Sequence, residues 1–240
     1  MYEAADLVIL NTQGHRRLVE GAFAEALGKI LVIPNGFRER DFDGLDLAAP
    51  ARGRLSLTFA GSLYPGYDAS PLIDRLNEVV DRHPSWRERL SLTFVGKTAP
   101  HDHIERARFP AERRGYVPQI DALRELLRSH ASVLIVPDRP GAELWVPQKL
   151  YTYLRVGRPI LCVGRGGEVE QILRDAGGPH LHLSPRADTS VLVEWLEHLD
   201  SPAVQGMKNR DDVVRRYDRR AQAGLLAESF NRLVKDGRRG

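Results

Sequence analysis

Residues 54–61 read RLSLTFAG and residues 89–96 read RLSLTFVG. The phrases differ only at Ala60 and Val95, and their starts lie 35 residues apart. That spacing is one that solenoid repeats use. A solenoid needs about three copies to bury a continuous core. Advancing 35 residues from Arg89 reaches Arg124, which is followed by ELLRSHA, a helical pattern, and no third copy exists. The duplication therefore reads as two neighbouring strands of one sheet. Each ends in glycine, where a ligand can approach the backbone.

Working outward, short apolar runs recur at 6–10, 29–33, 54–61, 89–96, 113–117, 131–137, 159–164 and 180–183. Helical periodicity fills the gaps. Ser70-Pro71 reads as an N-cap and a first-turn proline, with Leu72, Ile73, Leu76, Val79 and Val80 on one face. Ile120, Leu123, Leu126 and Leu127 repeat the pattern, as do Leu150, Tyr151 and Leu154, then Val169, Ile172 and Leu173. Strand and helix in alternation predict an α/β fold: a Rossmann-like parallel sheet with helices on both faces. A helix is expected over 15–27. A polar linker is expected over 35–53. After residue 200 only helices are expected, over about 203–217 and 219–235.

The chain has 240 residues, 42% of them hydrophobic and 28% charged, enough for a large core. No apolar run approaches the ~18 residues of a membrane span, and no signal peptide is visible. The lone cysteine, Cys162, lies in the apolar run PILCV and reads as buried filler. The absence of disulfides suits a cytoplasmic protein. Net charge is +3, unevenly spread. Residues 208–240 hold ten Lys/Arg against five Asp/Glu, a net of +5, so the other 207 carry −2. This basic end reads either as a solvated face or as a peripheral contact with anionic lipid or a partner surface. Nucleic acid is disfavoured, because the basic residues do not interleave with aromatics.

The ordered series AADLVILNT, ILVIPNG, LTFAGSLY, LTFVG, RGYVP, ASVLIVP and VPQKLYTYLRVGRPILCVG resembles the carboxyl half of GT-B glycosyltransferases of the family 4-like, group 1 set. The likeness covers about residues 5–235; VIPNG (32–36) and PQKLYTYLRVGRPIL (147–161) are its most specific parts. The resemblance implies a two-domain enzyme. Its carboxyl domain binds a nucleotide-diphosphate sugar, its amino domain binds a glycan, lipid or small-molecule acceptor, and transfer retains anomeric configuration without a bound metal or other cofactor. Residues 1–50 would then be the end of the amino domain plus linker, 51–200 the donor domain, and 201–240 helices packing back. The acceptor domain would be missing, Met1 would not be the natural start, and this chain alone would be inactive.

The resemblance also nominates donor-binding residues. A helix starting after Pro147 with Lys149 in its first turn would present free N–H groups and a cation to a diphosphate. Lys149 reads equally as a solvated helix-start lysine. Leu150 follows it in the same turn. Relatives place two glutamates eight residues apart here. This chain has Thr152 at the second position, and Glu143 is the nearest acid to the first. Relatives also carry an arginine just after Gly61 and a lysine five residues later; here Ser62 and Tyr67 stand there. Lys97, after the second copy of the repeat, is the expected compensating cation, with simple solvation the alternative. Tyr116 and Val117, in GYVP, match a segment whose backbone meets the nucleotide base in relatives. No catalytic acid, base or nucleophile is nominated. Asp41-Phe42-Asp43, His101-Asp102-His103 and His180-Leu181-His182 are read as structural rather than metal-binding, and Gly164–Gly167 as too short of glycines for a dinucleotide fingerprint. Two other readings stay open: a degenerate, non-catalytic nucleotide-binding or interaction module, and an unrelated Rossmann-like nucleotide binder.

Overall fold

The computed structural model describes residues 2–45, 50, 53–184 and 186–237. In chain order the elements are β1 (Val8–Leu10), α1 (Gln13–Ala22), β2 (Ile30–Val32), β3 (Leu55–Ala60), α2 (Ser70–Arg82), α3 (Trp86–Arg89), β4 (Leu90–Val95), β5 (Ala111–Gly115), α4 (Gln119–Arg128), β6 (Ala131–Ile135), α5 (Lys149–Val156), β7 (Ile160–Val163), α6 (Glu168–Ala176), β8 (His180–Leu183), α7 (Thr189–Leu199), α8 (Pro202–Gly206), α9 (Asp211–Val214) and α10 (Arg219–Gly237).

The twin phrases are β3 and β4, paired in parallel. Leu55 pairs with Leu90 and so on to Ala60 with Val95, so every residue faces its counterpart 35 positions on. Like therefore lies beside like. Leu57, Phe59, Leu92 and Phe94 share one sheet face, with the two rings 5.6 Å apart. That face packs on α2, α3 and α7, whose Leu72, Ile73, Leu76, Val79, Val80, Trp86 and Leu196 are buried. Each such side chain contributes about 1.5–3 kcal/mol of apolar burial. The opposite face packs on α4, α5 and α6 through Leu123, Leu126, Leu150, Tyr151, Leu154, Val169 and Leu173.

The six-stranded sheet has the order β5-β4-β3-β6-β7-β8, all parallel. This is the Rossmann order, and its direction reverses between β3 and β6. β1 and β2 form a separate two-stranded parallel sheet.

Several expectations shift. Ser70 does not cap α2 itself; Asp68 accepts from the Ser70 N–H at 2.8 Å and from its hydroxyl. α1 starts earlier and ends earlier than expected, because Thr12 caps it and Phe23 leaves the helical conformation. β5 covers 111–115 rather than 113–117, and stops at Gly115, which has φ +62°. The 35–53 segment is more than a linker: Phe37 and Phe42 are buried in the second core, around a 3₁₀ turn at Glu39–Phe42. Its residues 46–49 and 51–52 lie outside the described residues. The expected 203–217 helix is broken at 207–210, where the Asn209 side-chain amide donates to the Leu154 carbonyl at 2.7 Å.

Candidate nucleotide-binding cleft

Ligands of open α/β sheets bind outside the carboxyl ends of the strands, where strand order reverses. Here that point lies beyond β3 and β6. A cleft of about 360 Å³ opens there, lined by Ala60, Gly61, Ser62, Tyr64, Tyr67, Pro147, Gln148, Lys149 and Thr152.

Its walls are fixed by the backbone. The Gly61 N–H extends the β3–β4 ladder by donating to the Val95 carbonyl at 2.8 Å. The chain then turns at φ +136°, and a Cβ at Gly61 would sit 2.9 Å from Lys149 Cε. The positive φ favours glycine, and a side chain there would displace the Lys149 tip. Gly96, its twin, serves the sheet rather than a ligand: a Cβ there would lie 2.1 Å from the Gly61 carbonyl oxygen. Helix α5 is locked to the end of β3 by Tyr153, whose hydroxyl accepts from the Ala60 N–H at 2.9 Å and donates to the Ala60 carbonyl at 3.1 Å.

Lys149 stands on that helix. Its ammonium lies 4.1 Å from the centre of the Phe59 ring, and its one oxygen partner, the Ser62 carbonyl, is 3.5 Å away. Among the described residues no carboxylate pairs with it, and none lines the cleft. Burial pulls its pKa from 10.5 down to about 8. A desolvated, unneutralised cation costs free energy that an anionic ligand recovers. The helix start itself offers less than expected: the Leu150 N–H is taken by the Pro147 carbonyl and the Tyr151 N–H by the Gln148 carbonyl.

The other nominated residues fall at varied distances from this centre. Ser62 and Thr152 line the cleft beside Lys149. Thr152 and Gln148 also border a small adjoining space of about 80 Å³, which reaches Gln119 at the start of α4. Tyr116 and Val117 lie just before that start; Tyr116 is 80% exposed and Val117 packs against the second core. Leu150 is fully buried beneath α5, so only its backbone reaches upward. Lys97 is exposed, and its carbonyl accepts from the Leu63 N–H at 2.9 Å. Glu143 is apart from Lys149: it lines a different groove of about 650 Å³ with Gln13, Arg17, Glu168 and Tyr217. A third groove, of about 850 Å³, runs over the Ser56, Thr58, Ser91 and Thr93 hydroxyl face, towards the amino ends of the strands.

The dismissed motifs have structural partners. Phe42 lies under the Arg155 guanidinium, and Asp41 pairs with Arg38 at 3.0 Å. His180 and His182 bond the Gly178 and Gly164 carbonyls. Asp102 is fully buried and accepts from Thr98 at 2.6 Å and from Arg113 at 2.7 Å. His103 pairs with Asp68 at 2.9 Å. Cys162 is buried, its thiol pushed up to about 12. Sequence reasoning missed Tyr64, Gln148 and Tyr153.

No protein-family model matches the sequence, and no curated protein matches it. Solved structures do match by shape. Sucrose-phosphate synthase from Thermosynechococcus elongatus superposes with a TM-score of 0.66 at 14% identity, covering 98% of this chain and 60% of that one. Anabaena HepE in complex with UDP-glucose gives 0.68 at 17% identity, covering 95% and 64%. S. aureus TarM in a complex that includes UDP gives 0.63 at 14% identity, covering 96% and 45%. The chain thus spans less than two thirds of each of these proteins. The likeness is one of fold: this chain shares the architecture of GT-B glycosyltransferases, with the Rossmann-like sheet of their carboxyl-terminal domain.

Proposed function

We propose that this chain is the donor-binding half of a family 4-like glycosyltransferase, which moves a sugar from a nucleotide-diphosphate sugar to an acceptor with retention. The observation that carries the reading is the Lys149 ammonium, desolvated and without a carboxylate partner, at the reversal point of the sheet. The diphosphate would lie over Gly61 and Ser62 against Lys149, the ribose near Thr152, and the base towards Tyr116 and Val117. Lys149 then works mainly by stabilising charge on the departing diphosphate, and the cleft by positioning it. HepE with UDP-glucose, and TarM with UDP, support a nucleotide sugar as ligand.

In this reading residues 1–50 belong to an acceptor-binding domain and linker, and 201–240 pack back towards it. The two-stranded parallel sheet β1–β2 supports that division, since parallel strands ordinarily belong to larger, covered sheets. Side-chain cations, rather than a bound metal, neutralise the phosphates, so EDTA is expected to leave nucleotide affinity unchanged in calorimetry.

The absence of any carboxylate from the described cleft lining favours one other reading, a nucleotide-binding module without catalysis. Calorimetry and thermal shift with UDP, GDP, ADP and their sugars test the shared claim. At least one is expected to bind, and Lys149→Ala to weaken it at least tenfold. Binding by none at millimolar concentration sinks both readings. Binding without transfer, in a form joined to an acceptor domain, selects the module.

A further inference from the structure

This inference rests on the reading above, that the cleft holds a nucleotide. Among the described residues that line the cleft, Lys149 is the one cation.

About half of the described arginines pair with carboxylates, among them Arg113 with Asp102, Arg155 with Glu39 and Arg165 with Asp138. Arg139 does not. Among the described residues no carboxylate pairs with it. Its neighbour Asp138 is engaged by Arg165 at 3.3 Å. The Arg139 guanidinium lies instead over the Trp145 ring, 4.4 Å from its centre. On its other side is the loop after β3: a Cβ at Gly66 would lie 3.5 Å from Arg139 Nη1. Burial raises the Tyr67 hydroxyl and the Arg139 charge opposes that rise, so the guanidinium is within electrostatic reach of a cleft-lining residue. Arg139 therefore joins the two loops that leave β3 and β6, the strands flanking the reversal point.

An exposed guanidinium with no anionic partner, stacked on an indole, keeps its donors free and its orientation limited. We propose that Arg139 is a phosphate-binding residue of the cleft, held by Trp145 as a positioning residue, and that with Lys149 it selects a nucleoside diphosphate over a monophosphate. Lys149 is the half-buried point charge that lines the cleft. Arg139 is the planar fork at the mouth, suited to a second phosphate.

The test is calorimetry on the full chain with uridine, guanosine and adenosine di- and monophosphates. For the base that binds, wild type is expected to favour the diphosphate at least tenfold. Arg139→Ala should weaken the diphosphate about tenfold or more and leave the monophosphate within twofold, with Tm unchanged. Arg139→Lys should recover part of the loss, and Trp145→Leu should fall between wild type and Arg139→Ala. A diphosphate-to-monophosphate ratio unchanged in Arg139→Ala overturns the inference and leaves the parent reading standing. Equal weakening of both ligands also overturns it, since that marks Arg139 as a brace between loops. Failure of wild type to bind any of the six overturns the parent reading itself.

Discussion

At the scale of single residues, Lys149 is the one charged side chain among the described residues that line the cleft. Its pKa of about 8 when folded, against 10.5 for a free lysine, means that the unfolded chain holds more protons between those values. Stability contributed by this site therefore rises as pH climbs from about 8 to about 10.5, and the burden of the buried charge is full below 8. Lys149→Met is expected to raise Tm by a few degrees at pH 7, with the gain fading by pH 10.5 in thermal melts. The same variant should lose nucleotide affinity at pH 7. Affinity of the wild type should fall as pH rises through about 8, because the ammonium that meets the phosphate is then neutral. Lys149 was legible in the sequence, as a lysine in a helix first turn after Pro147. Its isolation was not. Nothing local says that Glu143, six residues earlier, faces another groove, or that Tyr153 ties α5 to Ala60.

At the scale of elements, the two loops behind the twin strands form one wall. The Leu63 N–H donates to the Lys97 carbonyl and the Ala69 N–H to the His101 carbonyl, both at 2.9 Å. His103 pairs with Asp68 across them. Asp102 anchors the second loop. Burial alone would raise its carboxyl, but hydrogen bonds from Arg113 and Thr98 hold it below the ordinary carboxylate value. Its stabilisation is thus present above about pH 4 and lost as pH falls through the depressed folded value. Asp102→Asn removes the charge that the half-exposed Arg113 meets. Denaturant unfolding should report a loss of about 1.5–3 kcal/mol, the range for hydrogen bonds to a charged group, because Arg113 is left partly solvated. Nucleotide affinity should fall too, because Ser62, Tyr64 and Tyr67 sit on the braced loop.

The strands themselves were readable because parallel, doubly covered strands are short continuous apolar runs. The repeat showed β3 and β4 to be neighbours, while their register, like against like, came from the structure. β5 was harder: its residues AERRG are those of a charged edge strand, not an apolar one. The break near residue 208 was invisible, since it is made by Asn209 reaching Leu154, 55 positions away.

At the scale of the molecule, the start of α1 is held to α6 by a carboxylate and packs against Leu144. Glu168, on α6, accepts from the Gln13 N–H at 2.9 Å and the Gly14 N–H at 2.7 Å, at the start of α1. Glu168→Ala should leave the six-stranded sheet protected in hydrogen exchange and speed exchange in α1. At the other end, α10 exposes Leu225, Phe230 and Val234 along a basic segment. Among the described residues no helix is long and apolar enough to cross a membrane. Peripheral contact remains a proposal: binding to vesicles with anionic headgroups, weakening as salt rises, supports it, and indifference to lipid charge counts against it.

In the proposed function, Lys149 marks the place where the diphosphate of a nucleotide sits. A crystal structure of the full chain with the tightest-binding nucleoside diphosphate tests it most directly. Phosphate oxygens are expected within about 3.2 Å of Lys149 Nζ, above Gly61 and Ser62. Phosphates bound instead along the Ser56–Thr93 hydroxyl face, or beside Glu143 and Arg17, with Lys149 untouched, would contradict it.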